Sequence, residues 1–104
     1  MFSHAPLNDI IDRIVTKFSP EKIIIFGSVA KGTAGPDSDV DVLVIMDTEL
    51  PYYKRSAPIR SAMWGIPVAV DILVLTQEEY DRLKDNEFSF ANEIYRTGVT
   101  AYEA

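Results

Sequence analysis

Three short apolar runs constrain this chain more than anything else in it: KIIIFG at 22–27, VDVLVIM at 40–46 and PVAVDILVLT at 67–76. Each has strand length, is rich in β-branched residues, and is bounded by Gly, Pro, Ser or Asp, so each reads as a strand. Segments of a different period lie between them. Leu7, Ile10, Ile11, Ile14, Val15 and Phe18 recur at helical spacing after Pro6 and stop before Ser19-Pro20, which predicts an amphipathic helix. SVAKGTA has room for a short helix before the break at Gly35-Pro36, and another short helix is expected near 58–64 with Pro58 in its first turn. TQEEYDRLKDN reads as a helix capped by Thr76, with Glu79 at the capping-box position. A last helix around FSFANEIYR ends at Gly98, and VTAYE adds an edge strand. Strands alternating with helices predict an α/β (α+β) fold, a small mixed sheet with helices packed on one side.

A length of 104 residues suits one domain, expected to span 1–104, with a modest core. The absence of cysteine excludes disulfides and thiolate metal sites. The N-terminal stretch has neither the basic start nor the unbroken apolar core of a signal peptide, and no apolar run approaches bilayer length, so a cytoplasmic protein is expected. The formal net charge of −6 disfavours a nucleic-acid ligand, because affinity for that backbone comes from neutralising phosphates. Residues 51–67 are the local exception, with Lys54, Arg55 and Arg60 and no acid. They read as a solvated helix face, with a basic wall beside a phosphate-bearing ligand as the alternative.

The second and third strands carry the chemistry. Side chains alternate faces along a strand, so Asp39 and Asp41 point the same way, about 7 Å apart, while Val40, Val42 and Val44 point the other. Asp71 is in phase with Leu73 and Leu75, opposite Val68, Val70, Ile72 and Val74. If the two strands are neighbours, three acids face one spot. Carboxylates in buried strands need a compensating cation, and oxygen-only ligation suits Mg²⁺ or Mn²⁺. Solvated acids at a strand start would account for Asp37 and Asp39, but not for Asp41 and Asp71, each of which interrupts an apolar run. Gly27 and Ser28 form a strand-to-helix turn that lets a phosphate approach closely, and Lys31 adds a cation one turn later.

Rival motifs fail on single residues. GSVAKGT fits the glycine spacing of a P-loop, but Thr33 stands where lysine is required. DSDVDV starts like a calcium loop, yet Val42 takes the glycine position and Thr48 that of the bidentate glutamate. His4, the only histidine, reads as an exposed bystander.

FGSVAKGTAGPDSDVDVLVIM followed by VAVDILVL resembles the glycine-serine, Asp-x-Asp and distant-Asp pattern of the DNA polymerase beta-like nucleotidyltransferases. More narrowly, it is similar to the minimal nucleotidyltransferase domain proteins of prokaryotes. The leading helix, both acid-bearing strands and the ending EIYRTGVTAYE share the resemblance. It implies the polymerase beta-like nucleotidyltransferase fold. It further implies that Asp39 and Asp41 bind two Mg²⁺ ions, that Asp71 completes the site for the ion activating the acceptor hydroxyl, and that Gly27 and Ser28 hold a nucleoside triphosphate such as ATP. Lys31 stands where such proteins usually have arginine, keeping the charge without the bidentate fork. The implied reaction is Mg²⁺-dependent transfer of a nucleoside monophosphate, with pyrophosphate leaving.

The resemblance also implies a partner. Minimal nucleotidyltransferases work as antitoxins with a small helical toxin, a higher-eukaryote and prokaryote nucleotide-binding (HEPN) domain, transferring AMP to a toxin tyrosine. Two readings stand beside that one: a non-catalytic module that neutralises its partner by contact, and an enzyme acting on a small metabolite. Tyr52, Tyr53 and Trp64 suit an interface core, or this domain's own core.

Overall fold

The computed structural model describes residues 5–35 and 38–104. His4, Pro36 and Asp37, read above as a bystander, a break and a solvated acid, lie outside the described residues. In chain order the elements are α1 (Ala5–Phe18), β1 (Lys22–Phe26), α2 (Gly27–Lys31), β2 (Val40–Ile45), a 3-10 turn (Tyr52–Lys54), α3 (Ser56–Ser61), β3 (Val70–Leu75), α4 (Gln77–Lys84), α5 (Phe90–Thr97) and β4 (Val99–Glu103).

The strands form one mixed sheet in the order β3-β2-β1-β4. β1 pairs antiparallel with β2 and with β4, so VTAYE is the edge strand its sequence predicts. β2 and β3 run parallel, as the crossover through α3 requires. The third strand is shorter than its apolar run, because β2 begins at Val40 and its first partner is Val70. Residues 67–69 have no strand beside them to continue the ladder.

The expectation of helices on one side is corrected. One face of the sheet, with Ile23, Ile25, Val40, Val42, Val44, Ile72 and Val74, packs on Leu7, Ile10 and Ile14 of α1 and on Ile59 of α3. The other face, with Ile24, Leu43, Ile45 and Leu75, packs on Tyr80 of α4 and on Ala91 and Ile94 of α5. The reason lies in the strands, whose apolar residues fill both phases of the alternation. A sheet apolar on both faces must be covered on both.

Local signals hold the helices in place. Thr76 accepts from the Glu79 backbone N–H at 3.2 Å and its own N–H donates to Glu79 Oε1 at 2.8 Å, completing the capping box of α4. Ser89 caps α5 by accepting from the Asn92 N–H at 3.1 Å, and Asn92 Nδ2 donates to the Lys84 carbonyl at 2.6 Å, fastening α5 to the end of α4. Pro58 sits in the first turn of α3, where its missing N–H leaves no helical bond unmade. Gly98 ends α5 where a Cβ would stand 2.6 Å from the Ile94 carbonyl oxygen and 2.7 Å from Ile24 Cγ2, so only glycine lets the chain enter β4 that close to β1.

Candidate active site

The parallel register of β2 and β3 sets Asp41 directly beside Asp71, and the antiparallel register of β1 sets Phe26, the residue before Gly27, on its other side. The carboxyl groups of Asp41 and Asp71 lie within hydrogen-bonding reach. Burial first, then the charge of Asp71, a hydrogen bond with it, and the charge of Asp39 push the Asp41 carboxyl above its ordinary range. Asp39 precedes β2 and is exposed, Asp71 is exposed, and Asp41 is half-buried. No charged side chain is buried among the described residues, which corrects the expectation of acids sunk in the sheet. The acids stand at the strand mouths, and what needs compensating is the partial burial of Asp41 first and its repulsion by Asp71 and Asp39 second.

Gly27 is placed by that same carboxylate. Its φ of +73° is left-handed, and a Cβ built on it would overlap Asp41 Oδ2. Glycine is therefore required twice over, by backbone conformation and by the approach of the acid. Gly27, Lys31 and Asp41 line a cavity of about 320 Å³, closed on its far side by Phe90, Glu93 and Thr97 of α5. Ser28, one residue on, is half-buried and does not line it. The α5 wall is what the sequence reading missed. A capped amphipathic helix gives no sign of which strand mouth its outer residues will overhang.

The basic segment divides. Arg55 is neither solvated nor part of a phosphate-facing wall: its Nη1 and Nη2 donate to Glu79 Oε1 and Oε2 at 2.6 and 3.2 Å, and its Nε to the Leu50 carbonyl at 2.8 Å. Five fixed donors on a planar fork suit it to an internal clamp. Arg60 does border the acids. With Trp64, Val68 and Asp71 it lines an open groove of about 480 Å³. Tyr52, Tyr53 and Trp64 are exposed rather than buried in the domain's core, at 49%, 79% and 87%.

Among the described residues no three carboxylate or imidazole groups stand ready to hold a metal ion. The Asp41–Asp71 pair nevertheless suits one. Its donors are hard oxygens, one partly desolvated, pressed together with a third like charge nearby, a juxtaposition that a dication relieves.

The sequence profile of the family described as Nucleotidyltransferase domain matches residues 7–99. This chain belongs to that family. The nucleotidyltransferase domain match takes in both acid-bearing strands and the Gly27 turn, and the resemblance stated from the sequence is borne out. No curated protein matches the chain significantly. Among solved structures, a candidate nucleotidyltransferase from Sulfolobus solfataricus superposes with a TM-score of 0.65 at 24% identity, covering 95% of this chain and 78% of that one. A toxin–antitoxin assembly with AMP-PNP gives 0.61 at 18% identity, covering 93% and 73%. A variant of the MntA–HpeT toxin–antitoxin pair gives 0.60 at 18%, covering 94% and 72%. At these identities the likeness establishes the fold, a mixed sheet with helices.

Proposed function

We propose that residues 1–104 form one minimal nucleotidyltransferase domain that moves AMP from ATP to a hydroxyl group in the presence of Mg²⁺. The acceptor is a tyrosine of a helical, HEPN-type partner toxin, to which this chain is the antitoxin. The observation that carries the reading is the Asp41–Asp71 pair, set by strand register beside a glycine that could be nothing else. The toxin–antitoxin assemblies among the similar folds, one holding an ATP analogue, support the choice of partner and nucleotide.

Asp39, Asp41 and Asp71 would hold Mg²⁺, with Mn²⁺ as a substitute. Once bound, the metal supplies charge neutralisation and a more acidic acceptor hydroxyl. The rest falls to the chain. Gly27 admits the Asp41 carboxylate beside β1 and lines the cavity offered to the phosphates, Ser28 offers a hydroxyl donor from the same turn, and Lys31 sets a positive charge on that cavity. The acceptor oxygen forms a bond to the α-phosphorus, the bond from that phosphorus to the bridging oxygen breaks, and pyrophosphate departs. The hydroxyl proton is lost to water. Such chemistry requires positioning and charge compensation, not a nucleophilic side chain.

The test is incubation of the purified pair with α-labelled ATP and Mg²⁺, followed by mass spectrometry of the partner. An added AMP on a tyrosine, absent with Asp71→Asn, is the expected result. A partner left unmodified yet neutralised by the Asp71→Asn protein would reject catalysis in favour of neutralisation by contact.

A further inference from the structure

The two paired acids open onto different spaces. Asp41 lines the cavity shared with Gly27 and Lys31, whereas Asp71 lines the groove shared with Arg60, Met63, Trp64 and Val68. Trp64 is 87% exposed, an apolar surface that a free-standing domain gains nothing by showing to water. Its backbone is nevertheless held. Arg13 of α1 donates from Nη1 to the carbonyl oxygens of Ala62 and Trp64 at 3.1 and 2.6 Å, and Asp9 receives the same guanidinium at 3.3 Å. Gly65, at φ +86°, turns the chain directly after. A solvent-facing indole on a held stretch of backbone thus lines the same groove as one of the paired carboxylates.

We infer that the groove is the acceptor side of the site, with Trp64 as the platform for an acceptor whose hydroxyl sits on a flat aromatic ring. The inference rests on the nucleotidyl-transfer reading and adds to it the direction of approach: nucleotide from the Gly27–Lys31 side, acceptor from the Trp64 side, meeting across the Asp41–Asp71 pair. Met63, Trp64 and Val68 give the groove an apolar wall on which a ring can stack and which a short aliphatic side chain covers less well. Among the described residues lining the groove Arg60 is the one cation, where an acidic flank of the acceptor protein would meet it. In the step itself the phenolic oxygen bonds to the α-phosphorus, the bond from that phosphorus to pyrophosphate breaks, and the phenolic proton passes to water. Arg13 acts only as a positioning residue, through the turn that carries Trp64.

Trp64 is the only tryptophan in the chain, so its emission reports on the groove directly. Calorimetry with ATP and Mg²⁺ fixes nucleotide saturation first; at saturation Trp64 emission should be unchanged, and N-acetyl-tyrosinamide added next should quench it. Label from α-labelled ATP should pass to N-acetyl-tyrosinamide and at least about tenfold less to N-acetyl-serinamide. Trp64→Ala should raise KM for the tyrosine probe about tenfold with kcat changed less than about threefold, and Trp64→Phe should restore most of it. Arg13→Met should shift KM the same way while weakening the quench. An emission change on ATP alone, equal transfer to both probes, or an unaltered KM in Trp64→Ala would each overturn the assignment. Failure of the native protein to bind ATP, or transfer to neither probe, would instead overturn the nucleotidyl-transfer reading on which it rests.

Discussion

Arg55 grips Glu79 with both prongs of its guanidinium, at 2.6 and 3.2 Å, and so locks the crossover that follows β2 onto the capping box of α4. The hydrogen bond from Arg55, then that from the Thr76 N–H, holds the Glu79 carboxyl at about 2, below its ordinary 4.5. A depressed acid stabilises the fold above its unfolded pKa and stops doing so as pH falls through the folded one. The ion pair therefore contributes fully above 4.5 and is lost on descent toward 2. Glu79→Gln, which can still cap the helix, should cost about 1.5–3 kcal/mol in urea unfolding at neutral pH. That deficit should narrow as the pH falls below 4.5, and a deficit independent of pH would refute the ion pair's role.

Gly27 and Gly32 have nearly the same backbone angle, φ +73° and +75°, but only Gly27 faces another group, since nothing lies within 4 Å of a Cβ at Gly32. Gly32→Ala should then cost only the left-handed penalty, about 1–2 kcal/mol. Gly27→Ala should cost more and should also disturb ATP binding by displacing Asp41. Thermal unfolding of both variants, with ATP calorimetry on each, separates strain from steric conflict.

Asp41 moves in the opposite sense to Glu79. Its raised carboxyl means that the folded state binds more protons than the unfolded one, so its charge weakens the fold as pH rises above the ordinary carboxylate range and through the raised value. Asp41→Asn should accordingly stabilise the metal-free protein at neutral pH, by on the order of 1 kcal/mol, since an amide there donates to Asp71. Mg²⁺ with ATP should raise the Tm of the native protein and leave the variant almost unmoved. Equal shifts in both would remove Asp41 from the metal site.

Ser28 and Lys31 separate cleanly. If the Ser28 hydroxyl donates to the triphosphate, Ser28→Ala should weaken ATP binding by about 1–2 kcal/mol while the domain stays folded. Lys31→Arg should match or exceed the native affinity, because the fork adds a second donor. Full ATP affinity in Ser28→Ala would take Ser28 out of the site, in keeping with its absence from the lining of the cavity.

What could be read beforehand was local or periodic. The capping box at Thr76 and Glu79, the strand at VTAYE and the phase of Asp41 and of Asp71 on their own strands follow from spacing alone, and all stand in the structure, which adds that the two strands are neighbours. Two-sided helical cover was also latent, in Leu43, Ile45 and Leu75, but valine-rich runs read as one apolar face unless both phases are weighed. The fate of Arg55 was not legible. Its partner Glu79 lies across the parallel crossover, and no local pattern distinguishes an arginine that turns inward from its solvated neighbour Lys54. The α5 wall was hidden for the same reason: Phe90 and Glu93 meet Asp41 only through the packing of a helix on a sheet.

Parallel pairing of β2 with β3 has a consequence for the order in which the molecule is made. The β1–β2 ladder closes over a short connection, but Asp71 reaches Asp41 only after the 3-10 turn, α3 and the turn held by Arg13 have been laid down and folded back. Loop closure across that crossover must precede any contact between the acids. A partly synthesised chain ending before β3 therefore holds half of the carboxylate pair and a Trp64 groove without its Asp71 side. The acid pair is completed only when β3 docks on β2, and the cavity beside Asp41 only when α5 follows.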